Sequence, residues 1–313
     1  MDIISEPGDL RSKANSFRSM DQTIGFVPTM GYLHDGHRAL IARARKECDV
    51  VIVSIFVNPS QFGPQEDLDR YPRDFEADTE LCKQENVDII FHPDVNEMYS
   101  GDATDVVVSY PELSQKLCGH FRPGHFDGVT TIMSKLLTLV GACSCYMGKK
   151  DAQQLLIIKK LVSDMFFDVS VIGCSTVRET DGLALSSRNA YLSADQRKQA
   201  LSISANLENI AQALESREVN IEQCLAQAID SMNNAGLDVQ YCEFVECIDL
   251  EPVRELFAGQ YVLCIAALCG NTRLIDNFFV EVSPEGDVII DRGQQRSGTM
   301  NVLQDISTEA THV

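Results

Sequence analysis

A chain of 313 residues, 44% hydrophobic and 23% charged, can build one large core or two modest ones and is far from a disordered composition. Its 46 acidic against 26 basic residues leave a formal net charge of −20, so the chain's own field opposes an extended grip on nucleic-acid phosphates. No apolar run reaches bilayer length, and residues 1–10 carry three acidic side chains where a signal peptide carries basic ones, so we expect a cytoplasmic protein that binds neither membrane nor nucleic acid.

In chain order, short β-branched runs at 24–27, 50–57, 88–91, 105–109, 143–147 and 168–172 read as strands. Between them, 38–48, 76–85, 129–139 and 152–165 show apolar residues three and four apart, as helices covering a sheet do. This alternation predicts an α/β fold, a Rossmann-like doubly wound parallel sheet over residues 1–182, with ligands at the carboxyl ends of its strands. After residue 182 two long helical patterns, 194–216 and 221–233, precede strands at 240–248, 261–268 and 278–282. That order predicts a smaller C-terminal α+β domain over 183–293, followed by a polar, disordered tail over 294–313 with no part in the chemistry. The eleven cysteines are odd in number, and Cys264 and Cys269 sit inside apolar runs. They read as reduced thiols, and Cys143 and Cys145 lack the further ligands of a zinc site.

Chemistry-bearing residues cluster after the predicted strands. The first cluster, Val27-Pro28-Thr29-Met30-Gly31-Tyr32-Leu33-His34-Asp35-Gly36-His37, joins a strand to a helix. Glycines there admit close backbone approach, a helix N-terminus favours phosphate, and two histidines can donate to phosphate oxygens. The alternative use of such histidines is to cap the helix. This segment resembles the H-x-G-H signature of the nucleotidyltransferase superfamily, and its longer form is similar to that of the pantothenate synthetases.

Four further strings are similar to that family. Asn58-Pro59-Ser60-Gln61-Phe62 ends the second strong strand and precedes an acidic stretch, 66–78, that reads in isolation as a solvated face. In His120-Phe121-Arg122-Pro123-Gly124-His125-Phe126-Asp127, Arg122 and His125 would bring positive charge and Asp127 would cap a helix starting at Val129. Gly148-Lys149-Lys150-Asp151-Ala152-Gln153-Gln154 departs from the family's G-E-K-D-Y-Q-Q at Lys149 and Ala152. In Val177 to Asn189, the hydroxyls of Ser186 and Ser187 and the guanidinium of Arg188 make a phosphate clamp. A closing motif around Arg273 and Asp276 reads as structural, an Arg–Asp pair bracing the second domain.

The resemblance implies an ATP-dependent ligase that joins pantoate to β-alanine through a pantoyl adenylate, releasing AMP and pyrophosphate with Mg²⁺. It implies catalytic roles for His34, His37, Lys150 and Arg188. ATP contacts would come from Met30, Gly31, His34, His37, Gly148, Lys150, Asp151, Val177, Leu185, Ser186, Ser187 and Arg188. Gln61, Gln154, Arg122 and His125 would hold the other substrates, and the chain would form a homodimer. Metal ligands are not legible, and Asp78 is a weak candidate. The rival reading is a nucleotidyltransferase that leaves the nucleotide on its acceptor; two glutamines in place of a further basic cluster count against it.

Overall fold

The computed structural model describes residues 1–64, 66–99, 106–216 and 220–295. In chain order the elements are β1 (Asp2–Ile4), α1 (Pro7–Ser19), β2 (Ile24–Thr29), α2 (Asp35–Glu47), β3 (Val50–Ile55), α3 (Phe75–Gln84), β4 (Ile89–Phe91), α4 (Val95–Met98), α5 (Leu117–Phe121), α6 (His125–Val140), β5 (Cys143–Gly148), α7 (Ala152–Asp164), β6 (Val169–Cys174), β7 (Val177–Arg178), α8 (Ala194–Ser216), α9 (Ile221–Asn234), β8 (Asp238–Glu246), β9 (Gly259–Cys269), β10 (Thr272–Val282), β11 (Val288–Asp291) and β12 (Gln294–Gln295).

Six strands form a parallel sheet in the order β1-β4-β3-β2-β5-β6. Strand order reverses between β2 and β5, so the crevice outside their carboxyl ends is the place for a ligand. Both faces of the sheet are covered, which explains why β3 is buried at every position. Phe26 and Ile52 face α1, α6 and α7, while Val27, Val51 and Val53 face α2 and α3. Helix α2 shows the local logic: it buries Leu40, Ile41 and Ala44, three and four apart, and carries Asp35 in its first turn and Arg45 and Lys46 in its last, matching the helix dipole.

The second sheet is antiparallel, in the order β11-β10-β9-β8, with α8 and α9 against it. Its two faces belong to different cores. Tyr261, Leu263, Ile265 and Ala267 of β9 pack with α8 and α9, whereas Val262 and Cys264, alternating with them, join the core of the first sheet along with Val245 and Leu250. All eleven cysteines are free. Among the described residues no helix is long and apolar enough to cross a membrane.

Several expectations need correction. Of the strand expected at 105–109, Asp105 lies outside the described residues and Val106–Ser109 form none. Val106 and Val107 point to solvent, and Val108 is tied to α6 by the hydroxyls of Thr131 and Thr130. Gln294 and Gln295, at the head of the expected tail, pair in parallel with β7, a backbone interaction that needs no apolar periodicity; residues 296–313 lie outside the described residues. Helix α6 begins at His125 rather than Val129, with Gly124 at its N-cap (φ 82°). Asp127 is therefore inside the first turn and accepts a hydrogen bond from Ser109 Oγ at 2.7 Å. Asp276 pairs with Arg178, while Arg273 Nε donates to Gln240.

Candidate active site

The loops that leave β2, β3, β5 and β6 at their carboxyl ends line two connected cavities. The smaller, about 240 Å³, is lined by Met30, His34, Gly36, His37, Gln61, Gly148, Val177, Leu185 and Ser187, among others. The larger, about 650 Å³, lies between the two sheets and includes Glu66, Asp67, Arg122 and His125. Lys150, Asp151, Gln154, Ser186 and Arg188 border both. The smaller cavity, despite its size, is the one that gathers the phosphate-type residues.

His34 is the N-cap of α2. Its Nδ1 accepts from Gly36 N at 3.1 Å, and His37 Nδ1 accepts from His34 N at 3.2 Å, a reciprocal capping box built from two histidines. The capping use and the phosphate use are therefore compatible. With both Nδ1 atoms accepting, each ring carries its proton on Nε2 and keeps one outward donor. Burial, together with the nearby Lys150 ammonium, pushes His34 down to about 4. Burial holds His37 well below its ordinary value, reinforced by His34 and Lys150. The two rings are neutral, with centroids 4.2 Å apart.

Gly31 has φ 81°, and an added Cβ would sit 3.0 Å from Asp78 Oδ2. It is buried behind the wall and lines neither cavity. Asp78 spends both oxygens on Tyr32 N (2.8 Å) and Leu33 N (2.6 Å), so it shapes the loop and is a poor metal ligand.

Gln61 is buried on a 3-10 turn after β3. Its Oε1 accepts from Asn58 Nδ2 at 3.2 Å, and its Nε2 faces only the weak acceptor Met30 Sδ at 2.9 Å, which leaves its donors for a ligand oxygen. Asn58 also donates to Gly128 O (3.1 Å) and accepts from Tyr99 OH (2.7 Å). This depends on Gly128: a Cβ there would lie 2.3 Å from Ser60 O. Gln154 makes no side-chain hydrogen bond among the described residues. Gln153 beside it is structural, bonding Leu113 O, Lys116 O and Cys118 N.

Arg122 and His125 do not supply two positive charges. Arg122 is paired with Glu66 at 2.6 and 2.7 Å, and burial, with the neighbouring guanidinium, pushes His125 down to about 4. His125 Nδ1 instead lies 2.7 Å from Gln61 O, bracing the glutamine loop. The acidic stretch is a solvated face only in part: Asp69, Asp74 and Glu76 are exposed, whereas Glu66 holds Arg122, and Asp67 Oδ1 accepts from Arg188 Nη2 at 3.2 Å. Ser186 caps the turn that carries Arg188, and Ser187 lies beside the Tyr71 hydroxyl. Val177 O accepts from Leu185 N at 2.9 Å, tying two expected nucleotide contacts together. Asn58, Asp67 and Tyr71 line the cavities and Tyr99 supports Asn58 from behind; sequence reasoning assigned none of them.

The sequence model of the family described as Pantoate-beta-alanine ligase matches residues 2–279. The chain belongs to this family. A pantothenate synthetase from Sulfurihydrogenibium sp. (strain YO3AOP1) is 48% identical over 279 residues, covering 88% of this chain and 99% of that relative. Pantothenate synthetase of Thermus thermophilus matches in structure with a TM-score of 0.77 at 41% identity, covering 91% of this chain and 100% of that one. A pantoate-beta-alanine ligase from Francisella tularensis, complexed with beta-gamma ATP and beta-alanine, matches with a TM-score of 0.73 at 35% identity over 89% of this chain and 97% of that one. Like its family, this pantoate–β-alanine ligase joins pantoate to β-alanine, and the six-stranded parallel sheet with a separate antiparallel sheet is the family's fold.

The histidines give this ligase a definite stability profile. Folded His34 and His125 take up a proton only near pH 4, whereas the unfolded chain does so near 6.5. Their contribution is therefore complete above about pH 6.5 and is lost as pH falls from there toward 4, because the unfolded state binds protons first. The urea midpoint should be lower at pH 5 than at pH 7.5. A midpoint flat across that window would mean that the buried histidines are charged in the fold.

Proposed function

We propose that this ligase works through a pantoyl adenylate: the pantoate carboxylate attacks the α-phosphorus of ATP, pyrophosphate leaves, and the β-alanine amine then attacks the acyl carbon and releases AMP. The observation that carries this is the convergence of His34, His37, Lys150, Ser187 and Arg188 with Gln61 and Gln154 around one cavity. The first group suits polyphosphate and the two glutamines suit the oxygens of a hydroxy acid. The Francisella relative's complex with beta-gamma ATP and beta-alanine supports the same substrates here.

In this reading the Nε2–H groups of His34 and His37 and the Lys150 ammonium meet the charge that builds on phosphorus, fixed in advance by the capping box. Arg188 exchanges Asp67 for phosphate, with Ser186 and Ser187 beside it. Met30, Gly148, Val177 and Leu185 border the nucleotide; Gly148 has open space where a Cβ would stand. β-Alanine enters from the larger cavity, past Arg122 and His125. Among the described residues no group of three or more His, Cys, Asp or Glu is arranged to hold a metal. That favours Mg²⁺ arriving on the ATP phosphates, with Asp151, the carboxylate bordering both cavities, as its protein contact.

The remaining parts of the proposal are a homodimer through the first domain, a cytoplasmic location, and a second domain, from residue 183, that shields the adenylate from water. Purified protein given ATP, Mg²⁺, pantoate and β-alanine should release AMP in step with pantothenate. Absence of AMP under every substrate combination would overturn the adenylate route.

A further inference from the structure

The family match ends at residue 279, and the Sulfurihydrogenibium relative is used to 99% of its length while matching 88% of this chain. Beyond that match, β11 adds to the second sheet, and the segment 291–295 then crosses back to the first domain. The crossing is densely bonded. Asp291 Oδ2 accepts from Lys149 Nζ at 2.7 Å and from Ser175 Oγ at 2.8 Å, while its Oδ1 accepts from Gly293 N at 2.9 Å. Gln294 N donates to Thr176 O at 2.7 Å, and Arg178 Nε donates to Arg292 O. Arg292 is held on α8 by Glu208 at 3.0 Å and Glu215 at 2.9 Å. Gly293 has φ 82°, and a Cβ there would stand 2.3 Å from Thr176 O, so the strap is fitted against β7.

Lys149 follows β5 and Ser175 follows β6, and these are the two strand ends that border the nucleotide side of the smaller cavity. Gly148, Lys150 and Asp151 lie on one; Ser175, Thr176 and Val177 lie on the other. One carboxylate therefore cross-braces both edges of that wall. Lys149 lines neither cavity. It is also one of the two positions where the local string departs from the family's, whose glutamate there would repel Asp291.

We propose that Asp291 is a positioning residue for ATP: by bridging Lys149 and Ser175 it sets the spacing of the strand ends that carry Lys150 and Val177, and the strap anchors them to the second domain. This rests on the smaller cavity being the ATP site. Gln61 and Met30 stand on the β3 and β2 side, which the strap does not touch, while Gln154 sits beyond the braced β5 end inside α7, so the effect falls mainly on the nucleotide. Loosening a supporting contact of this kind reduces binding without removing any ligand-touching group.

The test is calorimetric titration of the full chain with ATP and Mg²⁺, paired with KM values for ATP and pantoate. Asp291→Ala should weaken ATP by about tenfold while changing the pantoate KM by far less. Lys149→Met, which leaves the strap's other bonds in place, should show the same loss, predominantly of nucleotide, and Lys149→Arg should retain wild-type affinity. Unchanged ATP affinity in Asp291→Ala and Lys149→Met, or equal weakening of ATP and pantoate, would overturn the proposal. A wild-type chain that binds no ATP would overturn the site assignment itself, which separates the two failures.

Discussion

His37→Ala should lower the rate of adenylate formation by roughly 10²–10³-fold, the size of effect expected when one preorganised donor to a developing negative charge is removed. The variant loses two things at once, the Nε2–H donor and the Nδ1 acceptor that receives His34 N. Two further substitutions separate them. His37→Asn places an acceptor near the Nδ1 position and keeps the cap without an outward donor, so it should fold normally and remain slow. His37→Gln reaches the Nε2 position with an N–H and should recover part of the rate. Single-turnover formation of AMP from ATP and pantoate reads the step directly. A fully active His37→Asn would place the essential donor elsewhere.

The second large effect concerns stability. Arg178 and Asp276 are 6% and 3% exposed and meet through two bonds of 2.7 and 2.9 Å. Asp276 Oδ1 also accepts from Asn277 N, and Asn277 Nδ2 donates to Lys150 O at 2.6 Å. Arg178→Leu strands a buried carboxylate and should cost about 3–5 kcal/mol. In a chain of this size that corresponds to a fall in Tm on the order of 10 °C. Arg178→Leu combined with Asp276→Leu removes both charges and should be more stable than the single variant. Denaturant titration of the three proteins checks the order; a single variant as stable as wild type would mean that the carboxylate is not stranded.

Long elements were legible because burial writes a period into them. The pattern at 194–216 matches α8 residue for residue, and β9 extends the predicted strand by two residues at one end and one at the other, whereas β10 begins six residues before the predicted 278. Short edges were not: β1, β7 and β12 have two or three residues each, held by backbone pairing that leaves no side-chain rhythm. The run at 105–109 failed for the opposite reason, having β-branched residues without burial. Within the site, residues at strand ends stood out, since a doubly wound sheet puts its ligand there. Pairings across long stretches of chain, such as Asp67 with Arg188 or Lys149 with Asp291, have no local signature and needed the fold.

The alternation along β9 has a mechanical consequence. Since Val262 and Cys264 sit in one core while Leu263 and Ile265 sit in the other, the second sheet is a party wall common to both halves of the molecule. Swinging it away as a hinged door would bare Val245, Leu250, Val262 and Cys264 to water at each turnover, forfeiting about 25 cal/mol for every Å² of apolar surface uncovered. Movement that glides along that wall, with its side chains still in contact, costs less apolar exposure than such a swing. For the same reason a fragment cut near residue 183 would carry a naked greasy face and clump, so neither half can be studied as a separate part.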